Sequence, residues 1–321
     1  MPMLNEKIRL RLQCRIVFLR KEMMSNRKPL DAMAVGLMLM LCVIWGLQQV
    51  AVKLAAPHMG AIMQIGLRSL VAALMVSGLI GWRGEKLDLR DGTLLPGIAA
   101  GVLFALEFLF VALGLQYTTA SHMSVFLYTA PIFTVLGLHW SIGGERLGPM
   151  QWAGALAAFA GIAVAFSNGF AAQSRGWGDM LIGDALGVLG GIFWAATTVL
   201  IRRSSLSEAP PATTLLYQLG TCGVILLTIA ALNGQAASSA FTGIVWGSLF
   251  FQSVIVAFLS FLIWFWMLRR YLASRLAVFS FLTPMFGVGF GVLLLHDPLD
   301  PRFAAGAVLV MAGVVMVNMR K

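Results

Sequence analysis

Two ionisable side chains stand inside long apolar stretches: Glu107 within GVLFALEFLFVALGLQY and Arg68 within AIMQIGLRSLVAALMVSGLIGW. A charged group in a membrane-spanning helix carries an insertion cost of several kcal/mol, so its presence marks a site or a partner. Glu107 reads as a cavity-lining group that binds solute or carries a proton. Its alternative is a structural carboxyl facing Arg68 or other polar groups. Arg68 reads as an anchor for an anionic group such as a carboxylate, or as a structural cation that pairs or caps carbonyls. Sharing an aqueous cavity, or pairing, lowers the cost of both.

Polar and aromatic side chains recur at helical spacing around these two. Ser124, Tyr128 and Pro131 share a face at steps of four and three, and Ser253, Ser260 and Trp264 share one at steps of seven and four. Trp45, Gln48 and Gln49 have counterparts in Trp194, Thr197 and Thr198, while Tyr217 and Gln218 occupy the place of Arg68 later in the chain. Amides, hydroxyls and rings suit a medium-sized polar or amphipathic solute. Each Ser or Thr can instead bond its own helix backbone. Cys14, Cys42 and Cys222 lack paired or metal-ligand spacing, and His58, His122, His139 and His296 are scattered, so no metal is expected. No nucleotide-binding loop, Ser/His/Asp set or paired carboxylates fall within the apolar runs. No cofactor is implied, and both an enzyme and an ATP-driven pump are disfavoured.

The elements that must position these residues are membrane-spanning. Of 321 residues, 59% are hydrophobic and 11% charged, against about 25% charged in a soluble domain. The net charge of +10 sits in short loops beside apolar runs and does not point to nucleic acid. Segments of about 20 apolar residues fall at about 32–54, 61–81, 94–117, 120–142, 149–167, 180–202, 211–232, 241–268, 273–295 and 301–319, ten in all. Ahead of them lies a basic tail, residues 1–31, with eight Lys/Arg. Ile8, Leu12, Ile16 and Leu19 approach helical spacing, as in a helix on the membrane surface; an unordered tail, or a true start at Met24, is the alternative. The first apolar run is too long for a signal-peptide core and belongs to the array.

The array is duplicated. ASHMSVFLYTAP at 120–131 matches ASRLAVFSFLTP at 273–284 through Ala120/Ala273, Ser121/Ser274, Val125/Val278, Phe126/Phe279 and Pro131/Pro284. Beyond them Leu147/Leu299, Pro149/Pro301, Gly154/Gly306 and Gly161/Gly313 match, with acidic Glu145 facing Asp297. Copies of five helices, an odd number, must have opposite topology, an arrangement common in secondary transporters. The boundaries read as repeat 1 over 32–167, a linker over 168–179 and repeat 2 over 180–319. With the N-terminus inside, 19 of 23 Lys/Arg fall on the cytoplasmic side, which places both termini in the cytoplasm. Pro131 and Pro284 interrupt the fourth and ninth helices and disturb the carbonyls of Leu127 and Ser280. Kinks at equivalent positions suggest that these helices line the path. The Gly154/Gly161 and Gly306/Gly313 faces read as close helix packing.

At this level the chain resembles a ten-helix member of the drug/metabolite transporter superfamily with two EamA domains. The resemblance rests on Trp45-Gly46, Arg68, Ala112-Leu113-x-x-x-Tyr117-Thr118-x-Ala120, Pro131, Gly144-Glu145-x-Leu147 and Gly154-x6-Gly161. Pro284, Leu299 and Gly306-x6-Gly313 extend it into the second copy. His296-Asp297-Pro298 departs from the usual Gly-Glu pair. The resemblance implies a multi-pass protein of the bacterial inner membrane that exports amino acids or related small metabolites by alternating access, with protons as a candidate coupling ion. An exchanger of phosphorylated or nucleotide-linked sugars is the alternative, but it should want several basic residues in its cavity. A passive facilitator is another, although no charge ring or carbonyl filter is evident. The sequence leaves the solute and the oligomeric state open.

Overall fold

The computed structural model describes residues 28–85, 91–118, 120–142, 145–165, 167, 177–295 and 301–319. The chain runs through α1 (Ala32–Ala55), α2 (Ala61–Trp82), α3 (Leu94–Gly114), α4 (Ala120–Leu127), α5 (Ala130–Ser141), α6 (Pro149–Ala165), α7 (Trp177–Arg203), α8 (Pro211–Leu232), α9 (Gly243–Arg270), α10 (Ala273–Phe279), α11 (Leu282–Leu295) and α12 (Pro301–Asn318). The helices α1, α2, α3, α7, α8 and α9 are each long and apolar enough to cross a membrane, and α6 and α12 are shorter apolar helices. This is the all-α architecture that lipid demands, because a helix satisfies its backbone groups internally. Of the expected linker, residues 168–176 lie outside the described residues, as does the tail 1–27 with its expected surface helix.

The two spans expected to kink are broken outright. The helix α4 stops at Leu127 and α5 begins at Ala130 with Pro131 in its first turn, where the missing N–H has no helical partner to lose. The same happens between Phe279 and Leu282, ahead of Pro284. Local side-chain bonds form at both breaks. Thr129 Oγ1 donates to Phe126 O and Ser280 Oγ to Ala277 O, each at 2.6 Å. The Ser280 carbonyl, left open by Pro284, accepts the Thr283 N–H at 3.0 Å.

Packing follows the duplication. The helix α3 packs on α7 and α8, and its counterpart α9 packs on α1 and α2. The broken span α4–α5 lies on α7, and its counterpart α11 lies on α1. The pairs α2·α8 and α6·α12 join each helix to its own counterpart. That last pair fixes the relative sense of the halves. A methyl group added to Gly154 would lie 2.7 Å from the Gly313 carbonyl oxygen, and one added to Gly161 would lie 2.7 Å from that of Gly306. The crossed pairing means that α6 and α12 run antiparallel, with backbone against backbone. Gln151, at the start of α6, donates through Nε2 to Val317 O near the end of α12 (3.1 Å).

One end of the bundle is tied by charge. Asp31 caps α1 by accepting the Ala34 N–H at 2.8 Å, and the Tyr271 hydroxyl donates to the same carboxylate. Close by in sequence to Tyr271, the Glu145 carboxylate accepts the N–H groups of Ala273 and Ser274, both at 3.1 Å, and the Ser274 hydroxyl at 2.8 Å, so it caps α10. Arg202, at the end of α7, pairs with Glu145 and donates to Leu268 O. Both side chains of the pair are 1% exposed. Arg202 is thus buried in an ion pair and is no free loop charge.

Candidate functional site

A cavity of about 120 Å³ lies among α1, α3, α7, α8, α9 and the two broken spans. Several water-sized groups fit in that space. Its walls come in counterpart pairs. The helix α1 contributes Trp45 and Gln48, and α7 contributes Trp194 and Thr197 at the matching positions. From α3 come Phe104, Glu107 and Phe108, and from α9 come Phe261, Trp264 and Phe265. Both triplets have the i, i+3, i+4 spacing that puts three side chains on one helix face. The broken spans add Leu127 and Tyr128 from one copy and Thr283 from the other. The cavity therefore lies on the pseudo-two-fold axis, and the breaks at Pro131 and Pro284 open the backbone where it borders that space.

Rings pack edge-on around the walls. Trp45 meets Trp264 at 5.6 Å between centroids and Phe261 at 6.3 Å, Phe104 meets Phe108 at 4.9 Å and Phe261 at 5.9 Å, and Tyr128 meets Trp194 at 5.5 Å. Trp45 Nε1 donates to Ser260 Oγ at 2.9 Å, and that hydroxyl donates to Val256 O at 2.6 Å, which fixes the indole. Thr197 and Thr198 donate back to Phe193 O and Trp194 O of their own helix. Among the described residues, Glu107 is the one charged lining residue. Its Oε2 is buried without a hydrogen-bond partner, as is Oε1 of the adjacent Gln218.

Of the residues singled out from sequence, Trp45, Gln48, Glu107, Tyr128, Trp194, Thr197 and Trp264 come together around this space. Arg68, Tyr217 and Ser260 do not line it. Arg68 is fully buried behind Phe108, its guanidinium 4.7 Å from the ring centroid. It makes no ion pair with Glu107 and no hydrogen bond, although the two charges act on each other. Tyr217 is turned toward α3, its ring seated on Gly97, where a methyl group would collide with it. One residue on, a turn of about 100° brings Gln218 to the cavity instead. Ser260 ends a π-helical stretch, Phe251–Ser260, whose i to i−5 bonds break the 3.6-residue stripe expected through Ser253, Ser260 and Trp264. The side chains of Gln49 and Ser124 lie outside the described residues. Phe104, Phe108, Ile201, Phe261, Phe265 and Thr283 were not anticipated. The i, i+3, i+4 patterns Phe-x-x-Glu-Phe in α3 and Phe-x-x-Trp-Phe in α9 were the available signal.

Residues 32–167 and 181–319 each match the EamA-like transporter family. The chain is 27% identical to the uncharacterized transporter YvbV of Bacillus subtilis, over 88% of this chain and 90% of the relative. It is 25% identical to a probable amino-acid metabolite efflux pump of Salmonella typhimurium, over 87% and 92%. A solved crystal structure that is 18% identical superposes with a TM-score of 0.72 over 88% of this chain and 97% of its own, a likeness of fold alone. The duplicated helices, the cavity between the halves and these matches lead to one conclusion: the chain belongs to the EamA-like transporter family, within the drug/metabolite transporters, and is a membrane transporter rather than an enzyme.

Proposed function

We propose that the protein exports small amphipathic metabolites, amino acids or related solutes, from a bacterial cell by alternating access of two inverted repeats, 32–167 and 180–319. The supporting observation is the cavity itself. It lies on the repeat axis, is lined by counterpart helices of both halves, and has Glu107 in its wall. A site on the axis is what a rocking of one half against the other would present to each side in turn. The probable amino-acid metabolite efflux pump among the relatives supports the solute class. The excess of Lys/Arg on one side favours an inner-membrane orientation with both termini in the cytoplasm. Exchange of phosphorylated sugars is less well supported, because among the described residues no Lys or Arg lines the cavity.

Glu107 is the proposed proton carrier, since it is the lining group able to exchange one. The test is uptake of labelled amino acids and amphipathic metabolites by proteoliposomes, with and without a pH gradient. Saturable uptake driven by the gradient, with the gradient response lost in Glu107→Gln, is the expected result. Gradient-driven uptake that is unchanged in Glu107→Gln would remove the proton role. Saturable uptake indifferent to the gradient would point to a facilitator or exchanger. Absence of flux from folded protein would overturn the export reading.

A further inference from the structure

The cavity wall is unusual in its balance of chemistry. Eight aromatic side chains line it, from Trp45 on α1 to Phe265 on α9, and Glu107 is the charged group among them. Groups suited to an anion are scarce. The Thr197 and Thr198 hydroxyls are engaged with their own helix, and the Trp45 N–H is engaged by Ser260. The nearest guanidinium, Arg68, lies behind Phe108 and out of the lining. Its charge there offsets the cost of a carboxylate at Glu107, so the two enter the membrane as a neutral set of which only the acidic member faces the cavity. The duplication sharpens the asymmetry. At the shift that aligns 120–131 with 273–284 the counterpart of Glu107 is Ser260, not a second acid, and Trp264 one turn further along α9 packs edge-on with Trp45. A solute on the axis has a carboxyl on one side and an indole on the other.

Resting on the transport reading, we propose that this site takes its solute by an ammonium group. The substrate class is an amphipathic amine or quaternary ammonium, its charge at Glu107 and its apolar part among the rings. Aromatic faces attract cations through their quadrupole, and a buried carboxyl without a partner supplies the counter-charge. An amino acid would enter with its amino group toward Glu107.

The test uses the full chain, purified in detergent, and calorimetric titration with three probes of matched size: phenethylammonium, phenethyl alcohol and 3-phenylpropionate. The expected result is that the ammonium binds at least tenfold more tightly than the other two. In Glu107→Gln that preference should fall to within about twofold, with alcohol binding unchanged. Trp194→Leu, which leaves the charge in place, should weaken the ammonium about threefold more than the alcohol, as expected for loss of one cation–π contact. Equal or tighter binding of the alcohol or the propionate overturns the proposal, as does a cation preference that survives Glu107→Gln. Absence of binding by all three, from protein that melts cooperatively, overturns it too. Proteoliposome transport of neutral or anionic solutes, without a cation preference in titration, would reject this inference while leaving the transport reading intact.

Discussion

Glu107 and Glu145 are both buried carboxyls within the same half of the chain, and they are treated in opposite ways. Glu145 is surrounded by donors: two backbone N–H groups at the start of α10, the Ser274 hydroxyl, and Arg202 from the other half. Glu107 has a guanidinium in the neighbourhood but no hydrogen bond to it, and its Oε2 is bare. Burial alone therefore does not identify a working carboxyl in this fold. What separates the two is whether the donors around them are already in place. Glu145 is held by its neighbours and joins three segments at one end of the bundle. Glu107 has no such donor in place, which is what its proposed role in the cavity requires.

That contrast can be broken by mutation. The largest effect should come from Glu145→Gln or Arg202→Ala, because each leaves one member of a buried pair uncompensated, a loss of about 3–5 kcal/mol. Chemical denaturation followed by helical circular dichroism would measure it, and a change under about 1 kcal/mol would reduce the pair to a surface-like contact. Ser260→Ala should come next, at about 1–3 kcal/mol, since it strands the buried Trp45 N–H. It should also loosen the indole, visible as a shift in tryptophan emission. Replacing both partners, Glu145→Met with Arg202→Met, should recover most of the single-mutant loss and leave about 1 kcal/mol for the lost cap on α10. If the double variant is no better than the singles, the coupling between Glu145 and Arg202 is absent. Glu107→Gln removes the offset to the buried Arg68 charge but breaks no hydrogen bond, so it should cost less than Glu145→Gln while altering transport.

Asp31 supplies the smallest and most exposed case. The Ala34 N–H it accepts holds its carboxyl below the usual carboxylate range; desolvation opposes this, and the Tyr271 hydroxyl adds to the lowering. Tyr271 is in turn pushed up, by burial first and then by its bond to Asp31. A carboxylate with a lowered folded value contributes its full share above the unfolded value of about 3.9. That share fades as pH falls through the lower folded value. Melting temperatures of Asp31→Asn and the parent chain should therefore converge as the pH drops below about 4. A gap between them that stays constant across that range would exclude the cap as its source.

Much of this molecule was legible in its sequence, for a physical reason. Lipid forces apolar runs of helical length, so the spans could be read from hydropathy, and the paired prolines marked where two of them break. The matched glycines placed α6 against α12. What hydropathy could not give was the direction in which a side chain points. A helix apolar on all sides has no polar face to orient it, so Arg68 and Tyr217 were taken for lining residues although each is turned away. The same ambiguity hid Phe104 and Phe265, which look like ordinary lipid-facing or core rings. The π-helical stretch in α9 shifted Ser260 off its expected stripe for want of any sequence mark. Glu145 was visible as a repeat landmark, but its donors come from segments far away in sequence.

The crossing of α6 and α12 constrains how this chain can diverge. Gly154, Gly161, Gly306 and Gly313 each meet backbone atoms of the opposite helix as well as a side chain (Met316, Val310, Ala165 and Ala158), so trimming that side chain would leave the backbone clash of a larger residue in place. Elsewhere in the interior a bulky change can be accommodated by shrinking its neighbour. Here the nearest backbone is already that of a glycine. Drift in the four positions cannot be repaired pairwise, and the two copies, free to differ at Glu107 and Ser260, are bound to remain alike at this seam.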